Sequence, residues 1–191
     1  MVKFTKESLK KSKLFDKISY FVSNHDLMAL FPNCKIITYA ELDKYKSIYE
    51  LLNHNLDFCF LLTESEKNKG HWCCLMRHND NFEYYDSYGT PPKSILDFTP
   101  KFMNEMLGND WSEDLGKMIN SIKPNGTFNY NKTIYQQMMD DINTCGKWCI
   151  FRIALFLSEN YSNKDFRKLI EDKKKQHKIP LDELITQIIV I

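Results

Sequence analysis

A cysteine is a useful nucleophile only as its thiolate, so a site that employs one must lower its pKa. Thr144-Cys145-Gly146 heads a run to Leu157 in which Arg152 is the only charge after Trp148. Apolar positions on every side predict a buried helix. Its first turn, with unpaired N–H groups and the positive end of the dipole, would favour an anion at Cys145. Gly146 removes a Cβ and would let a substrate backbone come close. Cys149 lies one turn further in and reads as packing. A cysteine at a helix start is by itself weak evidence of catalysis, so partners must be sought elsewhere.

The base candidate is His71, which opens a strand after a loop ending in Gly70. Asp86 ends the partner strand. A turn centred on Asn79-Asp80 brings residues near 71 to 73 opposite residues near 86 to 88, so His71 and Asp86 become cross-strand neighbours. A carboxylate can then hold one imidazole nitrogen while the other faces a thiol. His25, His54, His78 and His177 read as surface residues. Oxyanion stabilisation needs the nucleophile's own N–H and a side-chain amide. Gln136 and Gln137 both precede Cys145 closely enough to supply it.

A zinc site drawn from His71, Cys73, Cys74, His78, Cys145 and Cys149 is the rival chemistry. Adjacent Cys73 and Cys74 project to opposite faces of a strand, so both cannot ligate one ion without distortion. No metal or organic cofactor is expected.

Gly70-His71-Trp72, Tyr85-Asp86-Ser87-Tyr88-Gly89, Gln137 and Thr144-Cys145-Gly146, in that order, resemble the adenovirus-protease and Ulp1 group of cysteine proteases. The nearest flavour is that of the maturation proteases of large DNA viruses and virophages. The resemblance covers Phe58 to Leu157. It implies Cys145 as nucleophile, His71 as general base and then acid, Asp86 as orienting acid, and Gln137 as side-chain oxyanion donor with Gln136 as rival. Trp72 would wall a narrow cleft that favours glycine before the scissile bond. Two features depart from the pattern: the Gln137 to Cys145 interval is long, and Lys147 stands where an apolar residue is common. The implied activity is an endopeptidase on viral structural precursors, working in the virion and host cytoplasm. Weak DNA binding through the basic termini is a further implied partner. An isopeptidase removing a ubiquitin-like modifier would use the same residues. An acetyltransferase on this scaffold and a non-enzymatic capsid or binding protein are the other classes.

These side chains need a scaffold to hold them. At 191 residues, 43% hydrophobic, the chain is long enough for one well-buried core. Its net charge of +1 gives no global reason to expect nucleic acid, although lysines crowd both ends. No window has the length and apolarity of a membrane span. Cysteines inside apolar runs suit free thiols in a reducing compartment. The expected architecture is a single α+β domain over residues 1–191, with a mixed central sheet flanked by helices and Cys145 at the start of a buried one. Helical spacing is predicted over Leu14 to Val22, His25 to Phe31 and Thr38 to Leu52. Strands are predicted at Cys34 to Ile37, Phe58 to Leu62, His71 to Arg77, Phe82 to Asp86 and around Phe128 to Ile134, with a charged loop from Thr63 to Gly70. An interrupted helical stretch follows, with Pro100 in a first turn, Gly108 as C-terminal cap and Ser112 as N-cap before Leu115, Met118 and Ile119. Two helices, Asp165 to Gln176 and Pro180 to Ile191, close the chain.

Overall fold

The computed structural model describes residues 2–92, 94, 106, 114–159 and 161–191. The positions of Pro100, Gly108 and Ser112 lie outside the described residues. The chain is α+β, with a mixed five-stranded sheet and several helices. It divides into two compact units, interleaved in sequence. One comprises Met1–Pro32, Ser87–Gly89 and Thr133–Ile191, the other Asn33–Asp86 and Thr90–Lys132.

The second unit carries the sheet. β1 (Lys35–Thr38), β2 (Leu56–Glu66), β3 (Lys69–His78), β4 (Asn81–Asp86) and β5 (Thr127–Tyr130) lie side by side in that order. β1 runs parallel to β2 and β5 parallel to β4, while β2–β3 and β3–β4 are antiparallel. Ile37, Cys59, Leu61, Cys73, Leu75, Phe82 and Tyr84 sit at alternating positions and so share one face. They pack against Tyr39 and Leu42 of a 3-10 helix (Tyr39–Lys44), Ile48 and Leu51 of α4 (Ile48–Leu51), and Leu115 and Met118 of α5 (Asp114–Asn120). The other face is apolar as well: Phe60, Cys74 and Tyr85 are fully buried. That explains why the Phe58 to Leu62 run does not alternate.

Two expectations need correction here. Thr63 to Gly70 is not a loop. β2 continues to Glu66 and β3 starts at Lys69, joined by a tight turn in which Asn68 takes φ 61°. Gly70 makes this possible, because a Cβ there would fall 2.0 Å from the Thr63 carbonyl oxygen. The expected helix from Thr38 to Leu52 is two pieces. Thr38 and Glu41 do form a capping box. The Ser47 side chain then accepts the Glu50 N–H and starts α4 afresh, because a serine satisfies backbone donors better as a cap than within a helix.

The first unit is helical, with α1 (Lys6–Lys10), α2 (Phe15–Ile18), α3 (Asn24–Leu30), α6 (Cys145–Glu159), α7 (Asn163–His177) and α8 (Leu181–Ile188). The amphipathic helix expected over Leu14 to Val22 is shorter, α2 covering only Phe15–Ile18. Ser12, between α1 and α2, accepts the Phe15 N–H on its carbonyl and the Leu14 N–H on its hydroxyl. Phe4, Leu9, Ile18 and Ile142 form a small core, with Leu14, Phe15 and Met139 against it. Around α6, Trp148 meets the Tyr135 ring at 5.4 Å, and Tyr135 meets Phe166 edge-on at the same separation. Arg152, the charge inside this apolar helix, is fully buried. It donates to the Tyr161 carbonyl at 2.9 Å and lies over the Phe166 ring, two contacts that offset part of the cost of burying its charge.

Candidate functional site

The β3–β4 hairpin turns on Asn79-Asp80, with Asn79 at φ 56° and His78 paired with Asn81. This register sets Cys73 opposite Asp86 and leaves His71 two residues along on the same face, so the His71–Asp86 contact is diagonal. His71 Nε2 lies 2.6 Å from Asp86 Oδ1. An ionised carboxylate can only accept, so Nε2 carries the proton and Nδ1 is the basic nitrogen. Asp86 is fully buried, and its second oxygen accepts the Thr90 N–H at 3.1 Å. Its main chain is held by Asn131, whose Oδ1 accepts the Asp86 N–H at 2.8 Å while Nδ2 donates to the Asp86 carbonyl at 2.6 Å. The carboxylate is therefore fixed from three sides, while the imidazole retains 14% side-chain exposure. Cys73, beneath them, accepts a hydrogen bond from the Tyr84 hydroxyl at 3.1 Å. Burial pushes its thiol up to about 12, so it is protonated at neutral pH.

Trp72 follows His71 and takes the opposite face of β3, where its ring meets Phe60 edge-on at 6.3 Å. Cys74 shares that other face, and His78 closes the turn at the far end of the strand. The zinc set weighed above is thus not gathered on one side of the sheet. Of the remaining histidines, His25, His54 and His177 are exposed, while His78 is half-buried.

In the helical unit, Cys145 is the first residue of α6, a helix of 15 residues, and is 7% exposed. Thr144 before it is anchored by Asp182 of α8: its hydroxyl donates to Oδ1 at 2.5 Å. The other oxygen of Asp182 accepts the Gln137 N–H at 2.9 Å. One buried carboxylate thus ties together both ends of the 137–144 segment. Burial pushes Asp182 up to about 6, against the pull of the Thr144 and Gln137 hydrogen bonds. Lys147 is also buried. Its Nζ donates to the Lys17 carbonyl at 2.8 Å and sits over the Tyr20 ring. Burial lowers it to about 8, while the Cys145 charge pulls the other way. An ammonium and a helix N-terminus therefore both favour a thiolate at Cys145.

The two glutamines are placed differently. Gln137 forms a two-way clasp with the peptide of Phe4, accepting its N–H at 2.9 Å and donating to its carbonyl at 2.8 Å. Gln136 is buried. It accepts from the Ser87 hydroxyl at 2.8 Å and donates to the Ile142 carbonyl at 2.9 Å and the Tyr88 hydroxyl at 3.2 Å. Its amide is thus held three residues before the cysteine.

Gly146 has a use unlike the one expected of it. A Cβ there would fall 2.5 Å from the Val22 Cβ, so the space that a substrate was expected to fill is taken by this chain's own valine. Gly146→Ala is expected to lower stability by about 1–3 kcal/mol through overpacking. Urea denaturation measures it, and Val22→Ala in the same chain should restore much of the loss. An unchanged midpoint in Gly146→Ala would show that the helix start shifts freely.

Sequence reasoning missed Asn131, Thr90, Asp182 and the charge role of Lys147. Asn131 and Asp182 act through hydrogen bonds to distant segments and leave no local pattern, while Thr90, four residues after Asp86, binds it through its backbone N–H, which residue type does not announce. The signal for Lys147 was present, a cation two residues after a candidate thiolate.

Among the described residues no helix is long and apolar enough to cross a membrane. No family model matches the sequence. The chain is similar to Uncharacterized protein V9 of Sputnik virophage, at 33% identity over 184 residues, covering 95% of this chain and 100% of that protein. Similarity of that depth along the whole of both chains places this one in the family of the virophage V9 protein.

Proposed function

We propose that this chain is a cysteine endopeptidase that cleaves viral structural precursors after glycine or another small residue. The observation that carries the proposal is the His71–Asp86 pair at 2.6 Å, with the carboxylate fully buried and its other oxygen already engaged. A merely structural hairpin has no need of a fully buried carboxylate aimed at a partly exposed imidazole. Cys145 Sγ attacks the scissile carbonyl carbon, and His71 Nδ1 takes the thiol proton. His71 then gives that proton to the leaving amine as the C–N bond breaks. Water, deprotonated by the same nitrogen, hydrolyses the thioester, and Cys145 is regenerated. Asp86 holds the ring in the required tautomer throughout. Trp72 would wall the substrate cleft, the lysine-rich ends would bind DNA weakly, and the enzyme would work in the virion and host cytoplasm.

Within this proposal Gln136 is the better oxyanion donor: its amide is held beside the segment that leads into Cys145, and the N–H now given to the Tyr88 hydroxyl at 3.2 Å would turn to the oxyanion. Gln137 instead clasps the N-terminal strand of chain. Gln136→Ala is expected to lower kcat by about 10²–10³-fold with little change in KM. Gln137→Ala should lower the melting temperature and leave kcat within a few-fold. The opposite assignment would return the role to Gln137. The deciding test of the activity is incubation with the virus's own capsid precursors, with mapping of the new N-termini. No new N-terminus in any precursor would sink the proposal.

A further inference from the structure

His71, Cys73 and Asp86 each present one ligand atom, and the three atoms lie within 4.8 Å of one another. Among the described residues no other trio of His, Cys, Asp or Glu meets this condition. We propose that these three side chains form a binding site for a zinc ion, which on binding holds His71 away from proton transfer. The inhibitory consequence rests on the endopeptidase reading; the metal site does not.

The donor set is one nitrogen, one sulfur and one oxygen, which suits a borderline-soft divalent ion and leaves the fourth tetrahedral position open. A tetrahedral zinc ion with bonds of about 2.0–2.3 Å spaces its ligand atoms roughly 3.3–3.8 Å apart. The imidazole and carboxylate, now 2.6 Å apart, must open by about 1 Å, and the thiol must approach by at most about 1.5 Å. Charge also balances: a thiolate and a carboxylate neutralise Zn²⁺, so two fully buried groups end without an uncompensated charge. Partners for these ligands are already in place. The Tyr84 hydroxyl sits 3.1 Å from Cys73 Sγ, and the Thr90 N–H binds the Asp86 oxygen that faces away from His71. Entry is from the imidazole side, the only part of the trio with side-chain exposure.

On binding, the zinc ion takes a lone pair from Nε2 and one from Sγ. The thiol proton is released to solvent, and the ring proton is exchanged from Nε2 to Nδ1. No electrons are transferred. With Nδ1 protonated, the ring has no lone pair to accept a proton from a thiol. That gives the maturation enzyme a reversible brake that chelation releases.

The test uses full-length protein stripped with a chelator, titrated with Co²⁺ by absorbance and with Zn²⁺ against a chromophoric competitor. Cys145→Ala, which removes the ordinary thiolate target for metals in such an enzyme, should still bind one equivalent and show thiolate-to-cobalt charge-transfer absorption. Cys73→Ser should lose that absorption and bind Zn²⁺ at least ~10-fold more weakly. His71→Gln, a change at the exposed edge of the trio, should weaken binding likewise and covers the case in which Cys73→Ser does not fold. Absence of the band in Cys145→Ala overturns the site, as does full-strength binding in both Cys73→Ser and His71→Gln. In precursor cleavage, Zn²⁺ should stop the wild type at concentrations at least ~10-fold below those needed for Cys73→Ser. Metal binding that depends on Cys73, in a protein that cleaves no precursor, would sustain the site and end the endopeptidase reading. Cleavage unaffected by a site-saturating concentration of Zn²⁺ would overturn the brake.

Discussion

Cys145→Ala is expected to reduce cleavage of structural precursors by about 10⁴-fold or more, while Cys149→Ala leaves turnover within a few-fold of wild type. The two cysteines share a helix and sit one turn apart, so the contrast tests placement and not thiol content. Cys145 is the first residue of α6, in the field of the helix N-terminus and of the Lys147 ammonium. Cys149 lies one turn further along α6, fully buried, and burial disfavours the charged form. Removing its sulfur leaves a small cavity and is expected to cost about 1 kcal/mol of stability, read as a lower melting temperature without loss of turnover. The measurement is a time course of precursor cleavage with the N-termini of the products mapped by mass spectrometry. Retained cleavage in Cys145→Ala would remove the nucleophile and with it the mechanism. Equal loss in both variants, with both folded, would point to a role for the helix as a whole.

What could be read from the sequence was what neighbouring residues decide among themselves. The β3–β4 hairpin is written in its turn residues and in the apolar pattern of both strands, so the meeting of His71 with Asp86 was legible to within one residue pair. The helix start at Cys145 was legible for a similar reason, since the apolar run has a sharp beginning. The Thr63 to Gly70 segment was misjudged because its charges resemble a loop. Yet a β-strand can carry them on its protruding end, and Gly70 lets the two backbones close up. The helix from Thr38 to Leu52 was drawn too long, since apolar spacing continues across Ser47, a serine that caps. Asn131 and Asp182 were out of reach in principle: each clamps a segment about forty residues away along the chain. Local periodicity holds no trace of such pairings. The competition between Gln136 and Gln137 likewise turns on Ser87, Tyr88 and Phe4, which only the fold brings to them.

Asp86→Ala is expected to lower kcat by about 10²–10⁴-fold, a milder loss than that of Cys145→Ala, because the nucleophile and base remain while the ring loses its orientation. The same change also removes an acceptor from the Thr90 N–H and the His71 Nε2–H, so stability should fall by about 1–3 kcal/mol. Asp86→Asn separates the two consequences. Its amide oxygen can serve only one of the two donors. Turned towards His71, it sets an NH₂ against the Thr90 N–H. Turned towards Thr90, it sets an NH₂ against the ring and forces the proton from Nε2 to Nδ1, the tautomer that cannot take a proton from the thiol. Asp86→Asn should therefore lose kcat almost as fully as Asp86→Ala while retaining more of the native volume and stability. Paired measurement of kcat and of denaturation midpoints distinguishes an orienting carboxylate from a structural one. If activity tracks stability across the two variants, with kcat restored wherever the fold is, Asp86 holds the hairpin together and does not steer the imidazole.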